Sequence, residues 1–232
     1  MFPLHDDNPA RRPPLVTGTF IGICIVVFIW QNLLGDEQAQ RAVLALGAIP
    51  AVLFDRADLA PDLVWVPTWA TLVTSMFMHG GLWHLLGNLL YLWIFGNNVE
   101  DAMGHVRFVV FYLLCGLVAA LAHAWSDPAS AVPMIGASGA ISGVLGAYLL
   151  LFPHARVLVG LPIAFYIHTV YMPAVWVLGF WFVLQLISAA LAQAEGGGVA
   201  WLAHIGGFIA GMVLIPLFKR RAVRLWSPAR RR

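Results

Sequence analysis

Six stretches of this chain carry no charged residue: residues 15–34, 69–99, 108–126, 128–155, 157–194 and 196–218. A helix of roughly 17–25 residues crosses a bilayer, and each stretch can hold one. Composition agrees. Hydrophobic residues make up 61% of the 232 and charged residues 10%, against about 25% charged in a soluble domain. The expectation is an all-α membrane protein built as one bundle, without a separate soluble domain. Cys24 and Cys115 lie in apolar runs and read as small buried hydrophobes, not as a disulfide framework or zinc site.

The basic residues orient the bundle. With six spans and both termini inside, the inner side holds Arg11, Arg12, Arg107, Arg156, Lys219, Arg220, Arg221, Arg224 and the Arg230-Arg231-Arg232 end. Arg41 and Arg56 alone stay outside, among acids such as Asp36, Asp58 and Asp62. That is the bias expected of a cytoplasmic face. The arginine-rich tail reads as a topology anchor against anionic lipid, not as a nucleic-acid site. Residues 1–14 then form a cytoplasmic segment, 15–218 the six-helix domain and 219–232 a basic cytoplasmic tail. Pro162 and Pro173 divide the fifth stretch. Residues 157–172 are therefore expected as an inner interfacial connection, and 173–194 as span five. Residues 35–67, mildly amphipathic and acidic, are expected along the outer surface.

Polar residues inside such spans are functional candidates, because they are costly at membrane depth. His79, His84 and Asn88 open span two; Ser138 opens span four; His204 follows Gly196-Gly197-Gly198 at the start of span six. Spans two, four and six run in the same direction, so these five groups fall at similar depth. From Ser138 to Phe152 is only about 22 Å of helix, against about 30 Å of hydrocarbon. Span four thus starts below the surface, and irregular backbone there must be buried in protein or line a wet cavity.

The residue types suit acyl chemistry. A serine hydroxyl is a weak nucleophile until a base takes its proton, and histidine is the usual base. Ser138 also lies at a helix N-terminus, with free N–H groups beside it. His84 and Asn88, spaced i, i+4, share a face and can aim donors at one spot. Spans four and six hold no Asp or Glu, so the pair would be a dyad. Gly139, Gly143 and Gly146 in span four and Gly207 and Gly211 in span six offer small-residue faces for close packing. Taken singly, each polar residue could be an ordinary packing residue; their joint placement argues otherwise. Trp65, Trp69 and Trp83 read as interfacial anchors.

Four segments together, His79-Gly80-Gly81-Leu82-Trp83-His84-Leu85-Leu86-Gly87-Asn88, Gly96 through Gly104, Gly136-Ala137-Ser138-Gly139, and Ala203-His204 with Gly207 and Gly211, resemble a bacterial rhomboid intramembrane serine protease. The resemblance implies a six-transmembrane-helix rhomboid-like bundle in the inner cell membrane. It implies Ser138 as nucleophile and His204 as base and then acid. His84, Asn88 and the Ser138 N–H would hold the oxyanion, with His79 beside them, and Glu100 would be structural. Substrates would be transmembrane proteins, admitted past span five as a lateral gate; no metal or cofactor is implied. Two positions depart from the pattern. Ser142 stands where many members carry an aromatic that stacks on the catalytic histidine, and Trp69-Ala70 lacks the common arginine. A catalytically inactive relative that binds membrane helices is the first alternative reading. A solute channel or transporter is the second; it would call for intramembrane carboxylates and paired broken helices, which the spans lack.

Overall fold

The computed structural model describes residues 2–163, 166–195 and 200–227. It opens with strand β1 (Phe2–Asp6), helix α1 (Leu15–Leu33), helix α2 (Asp36–Leu46) and single turns α3 (Pro50–Leu53) and α4 (Thr71–Thr74). There follow α5 (Leu82–Met103), α6 (His105–Ser126), α7 (Ser138–Leu151), β2 (Arg156–Ile163), β3 (Tyr166–Pro173), α8 (Ala174–Glu195) and α9 (Trp201–Phe218). Six long helices thus fall on the six uncharged stretches. Within α1, α6, α8 and α9 lie segments long and apolar enough to cross a membrane, while α7 is apolar but shorter. The chain is a multi-pass membrane protein. Gly196-Gly197-Gly198 and the Arg230-Arg231-Arg232 end of the tail lie outside the described residues.

Helix α7 is the hub. Every residue from Gly139 to Tyr148 is buried, as expected of a helix apolar on all sides. It packs closest on α9, and glycine makes that approach possible. A Cβ added at Gly207 would strike the Gly139 carbonyl oxygen, one at Gly211 that of Gly143, and one at Gly146 that of Phe208. Backbone meets backbone. Forcing a methyl into such a contact costs roughly 1–3 kcal/mol.

Glu100 ties α1 to the bundle. Pro14 starts α1 without a side-chain cap. The Glu100 carboxylate, 1% exposed, accepts the Val16 and Thr17 N–H groups at 2.9 and 2.8 Å and the Thr17 hydroxyl at 2.6 Å. It therefore caps a helix far from it in sequence and complements the positive end of its dipole. Its other neighbour is His105 Nδ1, at 2.6 Å. Each N–H left unpaired in such a place costs about 1–3 kcal/mol.

The fold is mostly helical, not all-α. Where residues 157–172 are expected as an interfacial connection, β2 and β3 pair antiparallel, and β1 pairs with β2 on its other side. The cause is visible in the burial: Val157 and Val159 are fully buried, while Arg156 is exposed and Leu158 half-buried, a period of two. Valine, isoleucine, tyrosine and threonine also favour strands. Residues 2–6 are thereby held against the bundle: Tyr148 of α7 donates its hydroxyl to Asp6, and Arg156 binds Asp7 at 2.7 Å. Asn98 of α5 donates to the Asn8 carbonyl at 2.7 Å.

Burial pushes the Asp6 carboxyl up to about 6 from 3.8; the Tyr148 hydrogen bond opposes this and Asp7 adds to it. A raised folded pKa means that protonated Asp6 fits its site best. The stability it contributes is full below about 3.8 and is lost as pH rises through about 6. The Asp6→Asn variant, which stays neutral, should gain melting temperature relative to the native chain as pH rises from about 4 to about 7. A difference that stays constant across that window would show that Asp6 is not the titrating group.

Candidate active site

Ser138 is the first residue of α7. No side chain among the described residues caps that helix, so its first-turn N–H groups have no intrahelical partner. The loop before it is held in place: Ala48 and Met134 exchange backbone hydrogen bonds, and the Gly136 N–H donates to the Ser75 carbonyl at 2.8 Å. Gly136 has φ +127°, a region that favours glycine.

His204 lies in the first turn of α9. Its Nε2 is 2.8 Å from Ser138 Oγ. Its Nδ1 is 2.7 Å from Gln185 Oε1 on α8, and Gln185 Nε2 in turn donates to the Trp181 carbonyl at 3.3 Å. These contacts fix the proton. An amide oxygen only accepts, so Nδ1 carries the hydrogen and Nε2 presents a lone pair to the serine hydroxyl. The ring is held on two more sides, by Trp181 (6.1 Å between centroids, tilted 36°) and by the edge of Trp201 (6.0 Å, 88°). Ser142 does not touch it; its hydroxyl donates back to the Ser138 carbonyl at 2.6 Å.

His84 and Asn88 flank the loop that leads to Ser138. A Cβ on Gly136 would lie 2.7 Å from His84 Nε2 and 3.8 Å from Asn88 Nδ2. The Gly80 N–H points at His84 Nδ1 at 3.4 Å, which leaves Nε2 as the protonated nitrogen. Asn88 Nδ2 is buried with no hydrogen-bond partner among the described residues. Two donors therefore face the serine's loop with capacity to spare. His79 sits behind them, 2% exposed, its ring 5.2 Å from that of His84. Gln31 of α1 clamps the His79 backbone, accepting its N–H at 3.1 Å and donating to its carbonyl at 3.3 Å. All five candidate side chains thus gather at one end of the bundle. Among the described residues no three His, Cys, Asp or Glu side chains converge as a metal site would require.

A family model, the Rhomboid domain, matches residues 66–221, about two thirds of the chain and all five of these residues. The chain belongs to the rhomboid family. It is 29% identical over 158 residues to the mitochondrial Rhomboid protein 1 of Saccharomyces cerevisiae, an alignment covering 64% of this chain and 42% of that one. It is 33% identical over 136 residues to Rhomboid protease GluP of Bacillus subtilis, covering 59% and 24%. With Rhomboid protease GlpG of Klebsiella pneumoniae the identity is 33% over 113 residues, covering 48% and 36%. The chain spans well under half the length of these curated relatives.

Gln185, Trp181 and Gln31 are the site residues that motif spacing does not reveal. An amide inside a largely apolar span was the available signal for Gln185 and Gln31. For Trp181 there was none, since tryptophan is common in membrane helices. Nitrogen NMR of ¹⁵N-histidine-labelled protein should show neutral His204 as the Nδ1–H tautomer. In Gln185→Leu, which offers no acceptor, the two tautomers should mix; an unchanged spectrum would mean that Gln185 does not set the proton's place.

Proposed function

We propose that this chain is an intramembrane serine endopeptidase that cuts transmembrane segments of other membrane proteins. The 2.8 Å contact between Ser138 Oγ and His204 Nε2, with His204 Nδ1 tied to Gln185, carries this reading. In it, Ser138 Oγ attacks the scissile carbonyl carbon as its proton passes to His204 Nε2. The tetrahedral oxyanion accepts hydrogen bonds from His84 Nε2, Asn88 Nδ2 and the N–H at the start of α7. The imidazolium then returns its proton to the leaving amine, and a water activated by the same nitrogen hydrolyses the acyl ester. His79, packed against His84, positions that ring. No metal or cofactor is required.

In this proposal six helices cross the inner cell membrane with both termini cytoplasmic. Residues 15–218 form the protease domain, and 1–14 and 219–232 flank it on the cytoplasmic side. Helix α8 is the gate through which a substrate helix enters. Much of it faces outward and apolar, including Trp176, Phe180, Leu184 and Leu191. It also carries Gln185, so gate position and orientation of the base are coupled. The rival reading, an inactive helix binder, draws on Ser142. Trp181 and Gln185 supply the ring contact and the anchor which that substitution removes, and this favours the enzyme.

A fluorophosphonate probe should label Ser138 in the native protein and fail to label His204→Ala; no adduct in a folded native preparation would favour the inactive binder. Asn88→Ala should lower cleavage of a reconstituted transmembrane substrate by about 10²–10³ if it is an oxyanion donor. Gln185→Ala loses one hydrogen bond worth about 1–1.5 kcal/mol, so kcat should fall about tenfold with KM unchanged. Gln185→Glu should restore kcat and move the acidic limb of the pH profile upward. A purely structural role would leave that limb in place.

A further inference from the structure

At the end of the bundle opposite the dyad lies a second polar site. Nineteen residues of α5 separate His84 from Met103, about 28 Å of helix, close to the thickness of the hydrocarbon layer. There a cavity of about 520 Å³ opens between the α5–α6 corner, the chain before α1 and the chain after α9. Its volume falls within the roughly 300–1,000 Å³ of small-molecule sites. Arg12, Arg107, Arg220, Arg221 and His105 line it, and no carboxylate does.

Among the described residues these arginines face no counter-charge, and none of the four takes part in an ion pair. The nearest acids are engaged elsewhere: Glu100 binds His105, Val16 and Thr17, and Asp101 accepts the Arg11 backbone N–H at 3.0 Å. Among the described residues Arg107 reaches only the Phe218 carbonyl, at 3.4 Å. Arg220 is fixed by its own backbone N–H, which donates to the Ala102 carbonyl at 3.0 Å. Its guanidinium lies beside Gly104, where its Nη2 is buried with no hydrogen-bond partner among the described residues. Burying such a donor unpaired is costly, and more so for a charged group. The cavity also meets the start of α6, whose first turn has no side-chain cap. Free N–H groups and the dipole add to the pull on an anion there.

We infer that this cavity binds the phosphodiester of an anionic phospholipid. Phosphate oxygens would satisfy Arg220 Nη2 and draw in the other guanidinium groups, which suit bidentate phosphate binding. The walls favour a lipid over free phosphate. Val106 borders the cavity and is 79% exposed, Val110 one turn along is also exposed, and Leu217 on the neighbouring α9 is 76% exposed. Acyl chains would lie along that apolar surface while the headgroup enters the basic cleft. The inference is independent of the proteolytic reading, and its test needs no activity.

The full chain in neutral detergent is titrated with phosphatidylglycerol, phosphatidylcholine or inorganic phosphate. Retained ligand is read by native mass spectrometry and stability by thermal unfolding. Phosphatidylglycerol should be retained and should raise Tm more than phosphatidylcholine does. Arg220→Gln and Arg107→Gln should each weaken its binding about fivefold. Arg107 is exposed, so its variant stays readable even where Arg220→Gln fails to fold. Arg224→Gln removes an equal charge outside the cavity and should bind as the native chain does. Equal retention of the two lipids, or equal weakening by Arg224→Gln, would overturn the site. Protection by inorganic phosphate as strong as that by lipid would overturn the lipid assignment.

Discussion

The near-contact of two backbones, α7 against α9, is the constraint from which the site follows. Lipid tails are as apolar as leucine, so helices in a bilayer gain little from hiding apolar side chains from one another. They associate by close packing and polar contacts. At three successive levels the only room between α7 and α9 is the absence of a Cβ, at Gly207, Gly211 and Gly146. Ser138 and His204 each stand at the start of one of these helices. A hydroxyl and an imidazole reach hydrogen-bonding distance because the axes beneath them are this close. The glycines are therefore as much a part of the site as the two side chains that meet.

Around that contact, and at the opposite end of the bundle, several polar groups are placed so that each satisfies another. Gln185 spends its amide nitrogen on its own helix and its oxygen on His204. Gln31 uses both ends on the backbone of His79. Glu100 uses both oxygens on α1. Others are left unpaired among the described residues: Asn88 Nδ2 beside the serine's loop, both ring nitrogens of His79 behind it, and Arg220 Nη2 at the far end. Unpaired buried donors are expensive, and the one on Asn88 lies where the loop leads to Ser138.

Much of this was legible in the chain itself. Long runs without charge marked the long helices, because backbone in hydrocarbon must satisfy its own hydrogen bonds. Ser138, His204, His84 and Asn88 stood out because polar residues are scarce in such runs, and glycine spacing announced which helices would touch. The sheet was hidden for the opposite reason. A hairpin rich in valine, isoleucine and leucine reads as one more apolar stretch, and its period of two is blurred when residues of both faces are hydrophobic. The role of Gln185 was hidden because it depends on the rotation of α8, which sequence spacing does not report. Ser142 showed that His204 needed another support, but not which helix would provide it.

Strand β1 finds its partner very late. Phe2 pairs with Gly160, so on a growing chain the first strand has nothing to join until most of the protein has left the ribosome. At about 5–20 residues per second that delay is on the order of ten seconds or more. Through it Asp6 remains hydrated, and it gives up water only when it reaches Tyr148. Docking of β1 on β2 thus waits until the helices between them, α1 to α7, have been made.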